Sequence, residues 1–395
     1  MERKANKELL ARVAASVAEY ESSLVAFRRD LHMHPETSFQ EFRTTERIME
    51  WLVSAGLAPV VLPRGVGAMC DVGSGAGPVV ALRADIDALS LTDEKPVPYR
   101  SRVPGVCHAC GHDVHTTVVL GAGLLLNRLA MDDDLPGTVR LVFQPGEEVL
   151  GGATEVVTAG GLADVGRMFA LHCEPRYEVG TIGLREGAIT GGFDKICVRV
   201  GGSPAGDHHP DPVYALAKIV TELPAALSRR IDPRSGLSLV WGTIRAVPES
   251  GLLPARGLAE GTVRCLEEEA RRLAPGVIEE VVRSVASAYD IEASLDYVPG
   301  IPPTVNESGS VNIFRETATS VLGEEHVLVA PQSLGGDDFG IYLQQVPGAY
   351  ARLGVRAPGQ EVYDLHRGTF DVDEACISVG AGILAAVALN ALAHG

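Results

Sequence analysis

Positive charge is scarce in this chain, and no extended basic run occurs. Lys and Arg number 34 against 51 Asp and Glu, a formal net charge of −17. That balance argues against a nucleic acid or an anionic membrane as partner. It still allows a small anionic substrate, because one pocket can be positive on an acidic protein. No apolar stretch reads as long enough to cross a bilayer. Residues 379–392 are apolar but short and interrupted by glycine, and predict a buried terminal helix. The first residues carry mixed charges and lack the apolar core of a secretion signal. Repeats and low-complexity linkers are missing. The seven cysteines, an odd number, are scattered from Cys70 to Cys376. That pattern predicts reduced thiols in a cytoplasmic protein, not a disulfide framework.

What is present is ample apolar material. The chain has 395 residues and is 46% hydrophobic, enough for two domains. Helical periodicity runs over residues 7–30 and about 41–55. A short apolar run at 79–83 ends in Asp85 and Asp87, as buried strands with polar exits do. Helix is expected at 112–129, strand at 138–144, helix at 149–159 and strand at 168–172. Strands alternating with helices predict an α/β layered sheet whose polar residues converge on one edge. Between about 190 and 300 the texture changes. Strands at 196–200, 238–244 and 261–265 and helices at 213–228 and 273–288 predict a compact α+β insert with a four-stranded sheet.

The densest chemistry lies in residues 106–117. Cys107, His108, Cys110, His112, Asp113 and His115 all fall within this stretch. Thiolate plus imidazole suits zinc and neighbouring divalent transition metals. Ala109 and Gly111 let the backbone fold tightly around an ion. Glu147 and Glu148 follow a strand and precede Gly151 and Gly152. One such carboxylate can ligate a metal while the other moves protons. Taken singly, the pair reads as solvated surface, and His172 and His366 read as structural histidines. Cys107 and Cys110 also form a C-x-x-C spacing, but no thioredoxin-like context surrounds it.

In order along the chain stand His32-Met33-His34-Pro35-Glu36, Arg83-Ala84-Asp85-Ile86-Asp87, His108-Ala109-Cys110-Gly111-His112-Asp113 and Gln144-Pro145-Gly146-Glu147-Glu148. Leu171-His172, Gly336-Asp337-Asp338-Phe339 and Phe370-Asp371-Val372-Asp373-Glu374 complete the set. Together they resemble the metal-dependent amidohydrolases of the aminoacylase and carboxypeptidase superfamily, in the branch with hippurate hydrolase and auxin–amino-acid conjugate hydrolases. The resemblance implies an α/β di-metal hydrolase core, a mixed sheet flanked by helices, with an inserted α+β lid and dimerisation domain. The core is expected at 1–190 and 300–395 and the insert at 191–299. The resemblance further implies two divalent ions (Zn, Mn, Co or Ni) held by Cys110, His112, Glu148, His172 and His366. Glu147 matches the catalytic base, and Asp87 matches a residue that orients a ligand. Asp113 and His115 are expected to be structural or to lie outside the ligands, Cys107 to be a bystander, and His34 to fix the turn after the first helix.

Hydrolysis of an amide bond in a small N-acyl amino acid, by a homodimer formed through the lid, is the implied activity. A dipeptidase, a carboxypeptidase, a catalytically silent homologue, or a specialised enzyme whose substrate lacks the usual α-carboxylate or binds it otherwise are the alternatives. The chain departs from the family pattern in the insert. Ser203 stands where the family has a His that stabilises the oxyanion, and Gly251 where it has an Asn that binds the substrate carboxylate. His208 or His209 is available to take over from the first. Ser203, His208, Gly251 and Gly336 are the expected substrate contacts.

Overall fold

A computed structural model describes residues 2–73, 75, 77–132, 135–201, 211–246 and 256–394. The chain divides into two compact units. The first comprises Met1–Gly187, Val305–Pro331 and Ile341–Gly395, the second Ala188–Thr304 and Gln332–Gly340. The segment 332–340 therefore belongs with the second unit, whereas the sequence had assigned everything after 300 to the core.

The first unit is built on an eight-stranded mixed sheet. Its order is Val60–Val61, Ala68–Gly73, Thr138–Gln144, Val79–Asp85, Val165–Glu178, Gly348–Arg356, Ile182–Leu184 and Val327–Val329. The four central strands run parallel. Their residues are buried along almost their whole length, which is why they read as continuous apolar runs with no alternation. Parallel strands place their carboxyl ends on one edge, where polar side chains can gather. Register aligns Asp85 with Gln144 and His172 with Arg352.

Helices His112–Met131, Ala375–Leu392 and Glu2–Met33 pack on one another in this unit. The first two are long and apolar enough to cross a membrane, contrary to the sequence reading, but 83% of each apolar window is buried inside the protein. They are core helices, apolar all round because neighbours surround them. Helix Ser308–Leu322 starts where the Glu307 carboxylate accepts from Gly309 N at 2.7 Å and Ser310 N at 2.6 Å.

The second unit is a four-stranded antiparallel sheet, ordered Glu292–Ile301, Gly192–Gly201, Arg256–Cys265, Ser238–Ala246. Gly192–Gly201 alternates strictly between buried and more exposed residues, as a sheet with one covered face requires. Ile196, Val198 and Val200 pack with Ile219 and Leu223 of helix Pro212–Arg230 and Ile278 and Val282 of helix Glu268–Ser287. The three strands and two helices expected from the sequence all occur here. The fourth strand, Glu292–Ile301, completes the sheet.

Candidate metal and catalytic site

The dense cluster is positioned by a single glycine. Gly111 adopts φ +86° and ends the loop from which helix His112–Met131 starts. A Cβ there would lie 2.6 Å from Cys173 Sγ, so both conformation and space demand glycine. The turn aims Cys110 and His112 at the carboxyl edge of the sheet. Cys110 Sγ lies 3.4 Å from His172 Nε2 and 3.3 Å from His366 Nε2. His366, at φ +59°, is tied to the same segment because its N–H donates to Ala109 O at 2.8 Å.

Three overlapping donor groups result. Cys110, His112 and His172 form one, Cys110, Glu148 and His366 a second, and His112, Glu147 and Glu148 a third. Within each, the donor atoms lie within 4.8 Å of one another. Glu148 Oε1 stands 3.9 Å from both His112 Nε2 and His366 Nε2, too far for a hydrogen bond. His112 Nε2 is buried with no hydrogen-bond partner among the described residues. Donors sharing a tetrahedral ion at about 2.0–2.3 Å stand roughly 3.3–3.8 Å apart. The spacings, the soft and borderline donors and the orphaned nitrogen fit a divalent metal.

The second nitrogens set tautomers. His172 Nδ1 donates to Cys173 O at 2.8 Å, leaving Nε2 as a lone pair towards Cys110. His112 Nδ1 faces Asp87 Oδ1 at 3.3 Å, and Asp87 Oδ2 accepts from Ser38 Oγ at 2.6 Å and Glu148 N at 3.0 Å. Asp87 thus orients one candidate ligand and the backbone of another. Burial, and then its neighbours His115 and Arg352, hold His172 well below the usual histidine range, so it is neutral. Burial also pushes the Cys110 thiol up. At His112 burial works downward, but Asp85 and Cys110 outweigh it and raise the imidazolium well above its ordinary range. A proton on His112 answers the negative charge of Asp85 beside it.

Asp85, His112 and His115 form another close group. His115 has no lone pair to spare there. Its Nδ1 donates to Asp85 Oδ1 at 2.6 Å and its Nε2 accepts from Cys173 N at 2.8 Å. This relay fixes the strand that carries His172. Asp113 is buried between Arg28 Nε and His32 Nδ1, each at 2.7 Å. His34 Nδ1 donates to Asp30 O at 2.8 Å, at the end of the first helix. Cys107 is buried, its backbone paired with Leu89.

Glu147 is 7% exposed, on the turn leaving strand Thr138–Gln144. Two buried carboxylates hold this turn: Asp87 takes Glu148 N, and Glu41 Oε1 takes Gly146 N at 2.8 Å. Gly152 packs so closely that a Cβ would sit 1.6 Å from Pro145 O. Gly152→Ala is therefore expected to lose about 3 kcal/mol of stability, read from urea unfolding; a loss under about 1 kcal/mol would show that the turn yields. This packing also delays the helix, which begins at Gly152 rather than at 149.

Sequence reasoning missed Glu41. It is fully buried, and burial and then the nearby charge of Asp87 push its carboxyl up to about 7. Folded Glu41 holds its proton more tightly than an unfolded glutamate near 4.5. Its support for the fold is complete below about pH 4.5 and fades as the pH rises through about 7, by roughly 3 kcal/mol. In chelator-treated protein, Glu41→Gln is expected to flatten that part of the stability–pH curve. A difference curve with no slope between pH 5 and 8 would refute it.

Of the expected substrate contacts, Ser203, His208 and Gly251 lie outside the described residues. Gly336 is exposed in the second unit, where a Cβ would meet Ile301 Cδ1 at 2.8 Å.

Comparison with known proteins agrees with this picture. An N-acetylcysteine deacetylase of Bacillus subtilis (strain 168) is 35% identical over 379 residues, covering 94% of this chain and 98% of that protein. IAA-amino acid hydrolase ILR1-like 4 of Arabidopsis thaliana is 32% identical, covering 93% and 86%. A Rhodococcus jostii (strain RHA1) protein named glutamate–cysteine ligase 2-3 is 42% identical, but the chain spans 46% of its length. The crystal structure of Bacillus subtilis YXEP, described as a dinuclear metal binding peptidase, superposes with TM-score 0.85 at 33% identity, covering 95% and 99%. The family model for peptidase family M20/M25/M40 matches residues 81–390. The chain belongs to that family, and it is a hydrolase with the mixed α/β fold of its members.

Proposed function

We propose that the protein hydrolyses the amide bond of an N-acyl amino acid or a closely related small metabolite. One observation carries this reading: Cys110 belongs to two donor groups, and Glu147 stands beside them with His112 and Glu148. In this reading Cys110, His112, Glu148, His172 and His366 hold two divalent ions of the Zn, Mn, Co or Ni type. When bound, the ions supply a polarised water at neutral pH and draw charge from the substrate carbonyl. Glu147 takes the proton of the attacking water and returns it to the departing nitrogen. Asp87 keeps His112 and the Glu148 backbone in place. Residues 191–299 serve as a lid and pair two copies of the chain. All seven cysteines are free, which suits a reducing cytoplasm.

The test is a panel of N-acetyl and N-benzoyl amino acids against dipeptides, using protein reconstituted with each metal. Turnover of the acylated amino acids over the dipeptides is expected. Preference for dipeptides would move the assignment to a dipeptidase, and bound metal with no turnover to a silent homologue.

A further inference from the structure

Arg352 is unlike the other buried cations of the first unit. It is 9% exposed, on a central strand of the sheet. The buried guanidinium of Arg28 has Asp113 and that of Arg83 has Asp85. Arg352 makes no hydrogen bond or ion pair among the described residues; its guanidinium carbon lies 5.2 Å from the centre of the Tyr350 ring. Glu174, on the neighbouring strand, feels its charge, but both Glu174 oxygens are taken by Arg176 at 2.7 and 2.6 Å. A guanidinium has five N–H donors in a rigid fork suited to a carboxylate. No Arg352 nitrogen is among the fully buried polar atoms, so the fork can be reached from outside, and with no described side chain pairing it, it is available to a carboxylate from outside the chain.

The location says which acceptor. Arg352 is the register partner of His172 on the adjacent parallel strand. Register partners project to the same face, with strands about 4.8 Å apart. The Tyr350 ring that carries the guanidinium is 6.0 Å from the His172 ring. Around Tyr177 nearby, Arg176 and Glu174 offset each other, while Arg185 and Arg352 add positive charge.

We propose that Arg352 anchors the carboxylate of the substrate, and so selects N-acyl amino acids that carry a free carboxyl group. The inference rests on the hydrolase reading above for the identity of that ligand. It also assigns to the first unit a task that the chain lacks at Gly251.

Binding of two inert probes tests it. N-(benzenesulfonyl)glycine carries the carboxylate but no scissile amide; its glycinamide counterpart is the neutral match. Calorimetry on metal-loaded wild-type protein is expected to show the acid binding about tenfold tighter or more than the amide. Arg352→Met is expected to bring the ratio to about one, and Arg352→Lys to restore part of it. Arg352→Gln serves as a second neutral variant, with thermal unfolding as the check on folding. An unchanged ratio in both neutral variants overturns the proposal, as does a wild-type protein that binds neither probe or both equally. If the ratio collapses as expected while no N-acyl amino acid is turned over, the hydrolase reading fails and the anion site stands.

Discussion

Glu147→Gln is expected to lower turnover by about 10³–10⁴-fold while the bound metal stays at its wild-type level. The amide keeps the size and one acceptor oxygen of the carboxylate but cannot carry a proton between water and the leaving nitrogen. The turn is positioned from outside Glu147, through Gly146 N on Glu41 and Glu148 N on Asp87, so its shape is expected to survive. Gly146 adopts φ +62° with its α-carbon against the Phe39 ring, which also fixes the turn independently of residue 147. Glu148→Gln is the contrasting variant. It alters a donor shared with His366 and Cys110, and is expected to lose metal as well as activity. Steady-state rates together with metal analysis separate the two. Full activity in Glu147→Gln, or metal loss equal to that of Glu148→Gln, would remove Glu147 from the role of base.

Residues that cluster along the chain were easier to read than residues that meet only in space. Cys110 and His112 announced themselves because they are two positions apart in an unusually rich segment. Glu148, His172 and His366 came from the order of motifs along the chain, since each alone resembles an ordinary polar residue at a strand end. Glu41 and Arg352 gave no such sign. Glu41 precedes a helix, where an exposed acid is the usual reading; its burial becomes evident once Gly146 is folded against it. Arg352 interrupts the strand Gly348–Arg356, and its meaning depends on His172 being its neighbour across the sheet. The two apolar helices were read as helices, the terminal one as buried, and they carry little periodicity because each is covered on every side. The departures at Ser203 and Gly251 were visible as sequence, but their consequence is a matter of what replaces them, which is why an unpartnered cation in the first unit matters.

Cys110→Ala is expected to abolish the binding of both ions, a larger loss than any outlying donor would produce. Cys110 belongs both to the group with His112 and His172 and to the group with Glu148 and His366. Its thiol is buried and pushed up by that burial, so a metal must displace its proton to gain a thiolate. That coupling makes metal binding fall steeply as the pH drops in the wild-type protein. His366 belongs to one of those groups and its side chain is 60% exposed. His366→Ala is therefore expected to weaken one ion and leave the other. Stability provides a readout separate from catalysis. A metal at about a thousand times its dissociation constant adds roughly 4 kcal/mol to the folded state. Wild-type protein should show that increment in thermal unfolding, His366→Ala part of it, and Cys110→Ala none. Elemental analysis after dialysis should follow the same order. If Cys110→Ala keeps the wild-type metal content and thermal increment, the ions are not held through the thiol, and the two donor groups that meet at Cys110 do not act as one centre.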